Sequence, residues 1–216
     1  MNWNRIWVNR WVALLFSAAV WVSGCSCAGS LQPLESGEPL MESASLRGKW
    51  VTTDANTQEQ EYFLVDNATT DIYFVSSLKP NGTLRDLYEV SLVQVGSYTF
   101  LDAKFAEIAR GQEHRDTHDM RVLPIHFIGK VWIKGDTLRM GLLNYDWLEK
   151  MISGGKVKLP YMEHHEENES FLLLTAESDK LTEFVRQFAE DPDAFSTVVT
   201  FHRVGPFERP RADSSP

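Results

Sequence analysis

From residue 46 onward, apolar positions fall in short runs that mostly alternate with polar ones. KWVTT, EYFLV, DIYFVSSL, DLYEVSLVQV, YTFLDAKF, IHFIGKVWI, TLRMGLL, ESFLLLT and TVVTFHRV are rich in β-branched and aromatic residues and bounded by turn residues, which predicts strands. Alternation is clearest in IHFIGKVWI. Ile125, Phe127, Val131 and Ile133 share one face with Gly129, and His126, Ile128, Lys130, Trp132 and Lys134 share the other. Between the strands, Pro80-Asn81-Gly82 supplies a fixed φ followed by a residue free to adopt positive φ. Gly96-Ser97 and Gly135-Asp136 suit two-residue hairpin loops. The pattern predicts antiparallel hairpins in sequence order, a meander that closes as a barrel or packs as a sandwich.

Two stretches switch to helical spacing. Tyr145 to Ser153 puts Trp147, Leu148, Met151 and Ile152 on one stripe, and Gly154-Gly155 ends it. Asp179 to Glu190 puts Leu181, Phe184, Val185 and Phe188 at i, i+3, i+4 and i+7. Ser178 is placed to cap this helix, Asp179 to complement its dipole and Pro192 to stop it. Both stripes read as core. The class is mainly β with two accessory helices.

The first residues break the pattern. MNWNRIWVNR carries Arg5 and Arg10 and no acid, and WVALLFSAAVWV has no charge. A positive segment before a short apolar one predicts a secretory signal over residues 1–24, and the apolar run from Trp11 to Val22 is too short to span a bilayer comfortably, which takes about 20 residues. Val22-Ser23-Gly24-Cys25 resembles the bacterial lipobox. The resemblance implies cleavage before Cys25 and acylation of its sulfur and new amine, with palmitate-like chains. Ser26 after it resembles the outer-membrane default of such lipoproteins, facing the periplasm. Cys27 has Gly24 where the aliphatic residue would stand, so Cys25 is the expected lipid site. Residues 25–45, rich in Ser, Gly, Pro and Glu, are expected to be a flexible tether. Residues 46–204 form the expected domain and 205–216 a tail.

Removing Arg5 and Arg10 moves the formal charge from −9 to −11. A chain so acidic is not expected to bind nucleic acid or anionic headgroups electrostatically. With Cys25 and Cys27 its only cysteines, the fold is not built on disulfides.

Leu46-Arg47-Gly48-Lys49-Trp50 opens the first strand of the meander. Gly48-x-Trp50 there resembles the lipocalin and calycin signature, which implies a barrel whose base the tryptophan plugs. A cation from the last strand would lie over its ring, and TVVTFHRV offers Arg203. The second lipocalin motif, a Thr-Asp-Tyr loop, is absent. GDTLRMGLLNYDWLEKMI and LTAESDKLTEFVRQFAEDPDAF also resemble stretches of uncharacterised bacterial lipoproteins, which implies a fold and a place but no activity.

Chemistry is sparse. Gly-x-Ser-x-Gly, phosphate loops, dinucleotide loops and cysteine nucleophiles are missing. His164-His165-Glu166-Glu167 departs from His-Glu-x-x-His, since residue 169 is Glu. His114 and His118, in a polar loop with Asp116 and Asp119, would share a face if that loop were helical and are the alternative metal ligands. No cofactor is expected. The sequence favours a membrane-anchored, non-enzymatic envelope lipoprotein that binds an apolar small ligand or a protein partner. The alternative is a metal-dependent hydrolase or another enzyme with an unrecognised site. Tyr88, Phe100, Trp132 and Met140, from four strands, are the candidate lining of an apolar pocket.

Overall fold

The computed structural model describes residues 25–35, 46–53, 58–67, 69, 72–106, 124–166 and 169–207. It begins with a short strand, β1 (Cys25–Ser30). The meander follows: β2 (Gly48–Thr53), β3 (Gln60–Asn67), β4 (Ile72–Leu78), β5 (Leu84–Val95), β6 (Tyr98–Phe105), β7 (Phe127–Lys134) and β8 (Thr137–Leu142). Helix α1 (Tyr145–Ser153), β9 (Tyr161–Glu166), β10 (Glu169–Leu174) and helix α2 (Ser178–Gln187) come next, and β11 (Thr197–Gly205) ends the order.

Eight strands, β11-β2-β3-β4-β5-β6-β7-β8, form a closed antiparallel barrel. The tight turns carry the residues their geometry demands, with Gly96 at φ +62° and Gly135 at φ +57° joining β5 to β6 and β7 to β8. Closure is made by β11, which pairs with β8 through Val199 opposite Met140 and with β2 through Arg203 opposite Trp50. Full closure leaves the barrel no unpaired strand edge.

Inward residues fill the barrel. Trp50, Phe63, Tyr73, Tyr88, Phe105, Phe127, Met140 and Phe201 are buried in one cluster. Phe63 meets Phe201 edge to face at 5.4 Å, and Tyr88 meets Phe105 at 4.9 Å. A second cluster lies outside the wall. Val93, Val95, Phe100 and Ile128, on the outer face of β5, β6 and β7, pack under Trp147 and Leu148 of α1 and Leu181, Phe184 and Val185 of α2. Burying each such side chain contributes about 1.5–3 kcal/mol.

The remaining strands form a three-stranded sheet, β1-β10-β9, with β1 parallel to β10. Both faces of β10 are used. Leu172 and Leu174 join the outer cluster, whereas Leu173 joins the interior one, with Phe171, Cys27 and Leu31 packed against it. The small sheet therefore packs against the barrel contents as well as the helical layer.

Several expectations change. The described part of the expected tether is structured: β1 occupies Cys25–Ser30, and Leu34 is buried in the outer cluster. The small residues that made this stretch look patternless let it pack closely, since a Cβ on Gly29 would stand 2.8 Å from Ile125 Cγ2. ESFLLLT is the strand β10 but lies outside the barrel, and β9 was not foreseen. Helix α1 has the expected bounds. Helix α2 starts at Ser178, so Glu177 takes the N-cap position and makes no side-chain cap bond. Residues 1–24, 36–45 and 208–216 lie outside the described residues.

Candidate functional site

The barrel base is built as its residues suggested. The Arg203 guanidinium carbon lies 4.7 Å from the Trp50 ring centroid. Arg203 Nη1 donates to the Arg47 carbonyl at 2.7 Å, and the Trp50 indole N–H donates to the Leu46 carbonyl at 2.8 Å. Arg203 Nε lies 3.0 Å from Asp136 Oδ1 as an ion pair but lacks hydrogen-bond alignment. Gly48 cannot carry a side chain here, because its φ is +149° and a Cβ would approach the Gly205 carbonyl oxygen to 2.9 Å. Gly48, Trp50 and Arg203 thus meet where β2 and β11 close the barrel.

The four candidate lining residues do not form one pocket. Tyr88 and Met140 face the interior, where both are 2 % exposed and packed among other side chains. Phe100 points outward into the helical layer and meets Phe195 at 5.5 Å. Trp132 stands on the bare outer wall, 38 % exposed. Phe100 of β6 and Ile128 of β7 point outward and are as apolar as their inward neighbours Leu101 and Phe127, so alternation alone left the inward face open.

A second arrangement has no sequence signature. Asp102, on the outer face of β6, is buried. Its Oδ1 lies 2.6 Å from His126 Nδ1, and its Oδ2 accepts from the Leu34 backbone N–H at 2.7 Å. Ser30 and His126 exchange both backbone hydrogen bonds at 2.8 Å. Serine, histidine and aspartate therefore meet, which in acyl transfer would require a nucleophile–base hydrogen bond. The Ser30 hydroxyl instead accepts from the Gln32 backbone N–H at 3.1 Å and makes no bond to the imidazole, and Ser30 is fully buried. The arrangement is a clamp that ties residues 30–34 to the barrel wall. Glu35 extends it by donating its N–H to Thr182 Oγ1 at 3.1 Å.

The border between the covered wall and the bare one carries cations and the exposed ring of Trp132. Lys130 Nζ donates to the Ala189 carbonyl at 2.5 Å and lies 4.1 Å from the Tyr98 ring centroid and 5.2 Å from that of Trp132. Burial pushes the Lys130 ammonium below its usual pKa, against the pull of Glu190. Tyr98 donates its hydroxyl to Glu190 Oε1 at 2.6 Å, and this bond raises the phenol above its usual pKa. The Arg139 guanidinium carbon also lies over the Trp132 ring, 5.5 Å from its centroid.

Among the described residues there is no group of three or more His, Cys, Asp or Glu side chains able to hold a metal ion. His114 and His118 lie outside the described residues. No family model, no curated protein and no solved structure matches this chain.

Proposed function

We propose that this chain is a lipid-anchored protein of the bacterial envelope, on the outer membrane facing the periplasm. It acts by binding rather than by catalysis, and it meets a protein partner on its outer surface. The observation that carries the choice of a protein partner is the filled barrel. Large inward side chains occupy the space where barrels of this strand number hold a small ligand, and the small sheet packs against that filling with Leu173. An apolar ligand would have to displace packed aromatic rings.

The anchor rests on Val22-Ser23-Gly24-Cys25. Because Cys25 is the first residue of β1, paired with Glu169 of β10, acyl chains there would attach to the fold itself. Several chains at about 0.8 kcal/mol per buried CH₂ would hold it firmly. The test has two arms. Cys25→Ser should give a folded protein that leaves the detergent phase; unchanged partitioning would overturn the anchor. Titration of the wild type with a fluorescent fatty acid should show no saturable binding. Stoichiometric uptake would replace the protein partner with an apolar ligand.

A further inference from the structure

We infer that the outer wall made by β7, β8 and β11, centred on Trp132 and Arg139, docks an acidic segment of a partner protein. This rests on the binding reading above and names the face and its chemistry. Trp132 pairs with Arg139 and Arg139 with Thr200. One step along the strands, Lys134 pairs with Thr137 and Thr137 with His202. These side chains share the outer face, since Val131, Met140, Val199 and Phe201 on the same strands point inward. Trp132, Lys134, Arg139, Val198 and His202 are all exposed.

The charge on this wall is out of keeping with the chain. Three cations elsewhere on the barrel have acidic partners, Arg47 with Asp66 at 2.9 Å, Arg85 with Glu61 at 3.3 Å and Lys104 with Glu89 at 3.0 Å, whereas Lys49 of β2 lies over the Tyr62 ring at 4.5 Å. Among the described residues, Lys134 and Arg139 have none, and the acid in the β7–β8 turn, Asp136, is held by Arg203. A chain of formal charge −9 thus leaves cations uncompensated on a face that also presents a tryptophan. Trp and Arg dominate the binding energy of protein interfaces, and complementary charge steers and orients the partner. Carboxylates reaching Arg139 and Lys134, with an apolar side chain against Trp132 and Val198, would give each of these four groups a partner.

The first measurement titrates the full-length protein with a short fluorescent Glu-rich peptide holding a central Leu-Trp pair, and with its Lys-for-Glu counterpart. Only the acidic peptide should bind, more weakly as salt rises. Trp132→Ala and Arg139→Glu should each weaken it about 10-fold or more, with unchanged thermal unfolding. Equal binding of both peptides, no binding, or indifference to both substitutions would overturn the proposal. The second places a photo-cross-linker at Val198, or at exposed Met162 of β9, in host membranes. Cross-links from Val198 should map to an acidic protein segment. Cross-links from Met162 alone, or from Val198 to lipid or glycan, would overturn this face and leave a binding protein. Silence at both sites would overturn the binding reading as well.

Discussion

Two walls of one barrel have opposite fates. At the end of β5, in β6 and at the start of β7, part of the outward face is apolar as well, and α1 and α2 cover Val93, Val95, Phe100 and Ile128 there. On β8, β11 and the rest of β7, outward residues are cations, threonines and single apolar side chains, and much of that face is exposed. The covering layer is held by polar fittings at its rim. Lys130 donates to the Ala189 carbonyl just beyond α2, and Trp147 donates its indole N–H to Asp191 Oδ2 at 3.1 Å. Asn144 Oδ1 caps α1 by accepting from the Trp147 backbone N–H at 3.0 Å. A sheet face apolar on both sides must find a second layer. A face apolar on one side is complete alone, and what it exposes is free to serve recognition.

The sharpest way to break this comparison is to truncate one aromatic residue on each wall. Phe100→Ala should cost about 3–5 kcal/mol in denaturant unfolding, because Phe100 is fully buried beneath the helices. A loss below about 1 kcal/mol would show that the covered wall is not a core. Next in size is the clamp. Asp102→Ala leaves the Leu34 N–H without its acceptor and should cost about 1.5–3 kcal/mol. Hydrogen exchange should quicken at Leu34 and Ser30 before it does in β3 or β4; uniform quickening would mean that the clamp is not local.

Arg203→Met keeps the aliphatic stem over Trp50 but removes the cation and the bond to the Arg47 carbonyl. We expect a loss of about 1–2 kcal/mol, read from the same unfolding curves, with the barrel still closed. The smallest effect belongs to the bare wall. Trp132→Ala should change stability by about 0.5 kcal/mol or less, so a larger loss would mean that the ring belongs to the core.

The tyrosine at the rim sharpens the comparison by pH. The bond to Glu190 raises the Tyr98 phenol, so the favourable contribution of that bond is present below the unfolded phenol's pKa near 10 and lost as pH rises through the higher folded value. Glu190→Gln should bring the Tyr98 titration down in a ring-labelled NMR experiment. An unmoved titration would remove Glu190 as its cause.

Most of the meander was legible because its signals are local. Period-two alternation marked β2 to β8, glycines marked the turns, and a four-residue stripe marked each helix. Gly48, Trp50 and Arg203 could be paired in advance only because Gly48-x-Trp50 resembles the lipocalin signature, which implies a cation from the last strand over the ring. β1 was not legible. CSCAGS has little side chain to show a period, and its partner lies far along the chain, Cys27 opposite Phe171 and Ser30 opposite Leu174. The clamp was hidden for the same reason, since Asp102, His126 and Leu34 come from three separate segments.

What the sequence determined by itself is the strands of the meander, their antiparallel order and the two faces of each. What the tertiary structure decided is which face looks inward, which strand stays out of the barrel and which wall is left bare. Alternation divides a strand into two faces but assigns neither to the core when both are apolar. Phe100 and Leu101 are neighbours of similar hydrophobicity, and only the register of β6 between β5 and β7 sends Leu101 inside and Phe100 under the helices. Trp132 and Val131 divide in the same way, except that among the described residues no layer covers the tryptophan. That difference arises from where α1 and α2 end, a property of the packed molecule and not of any one strand.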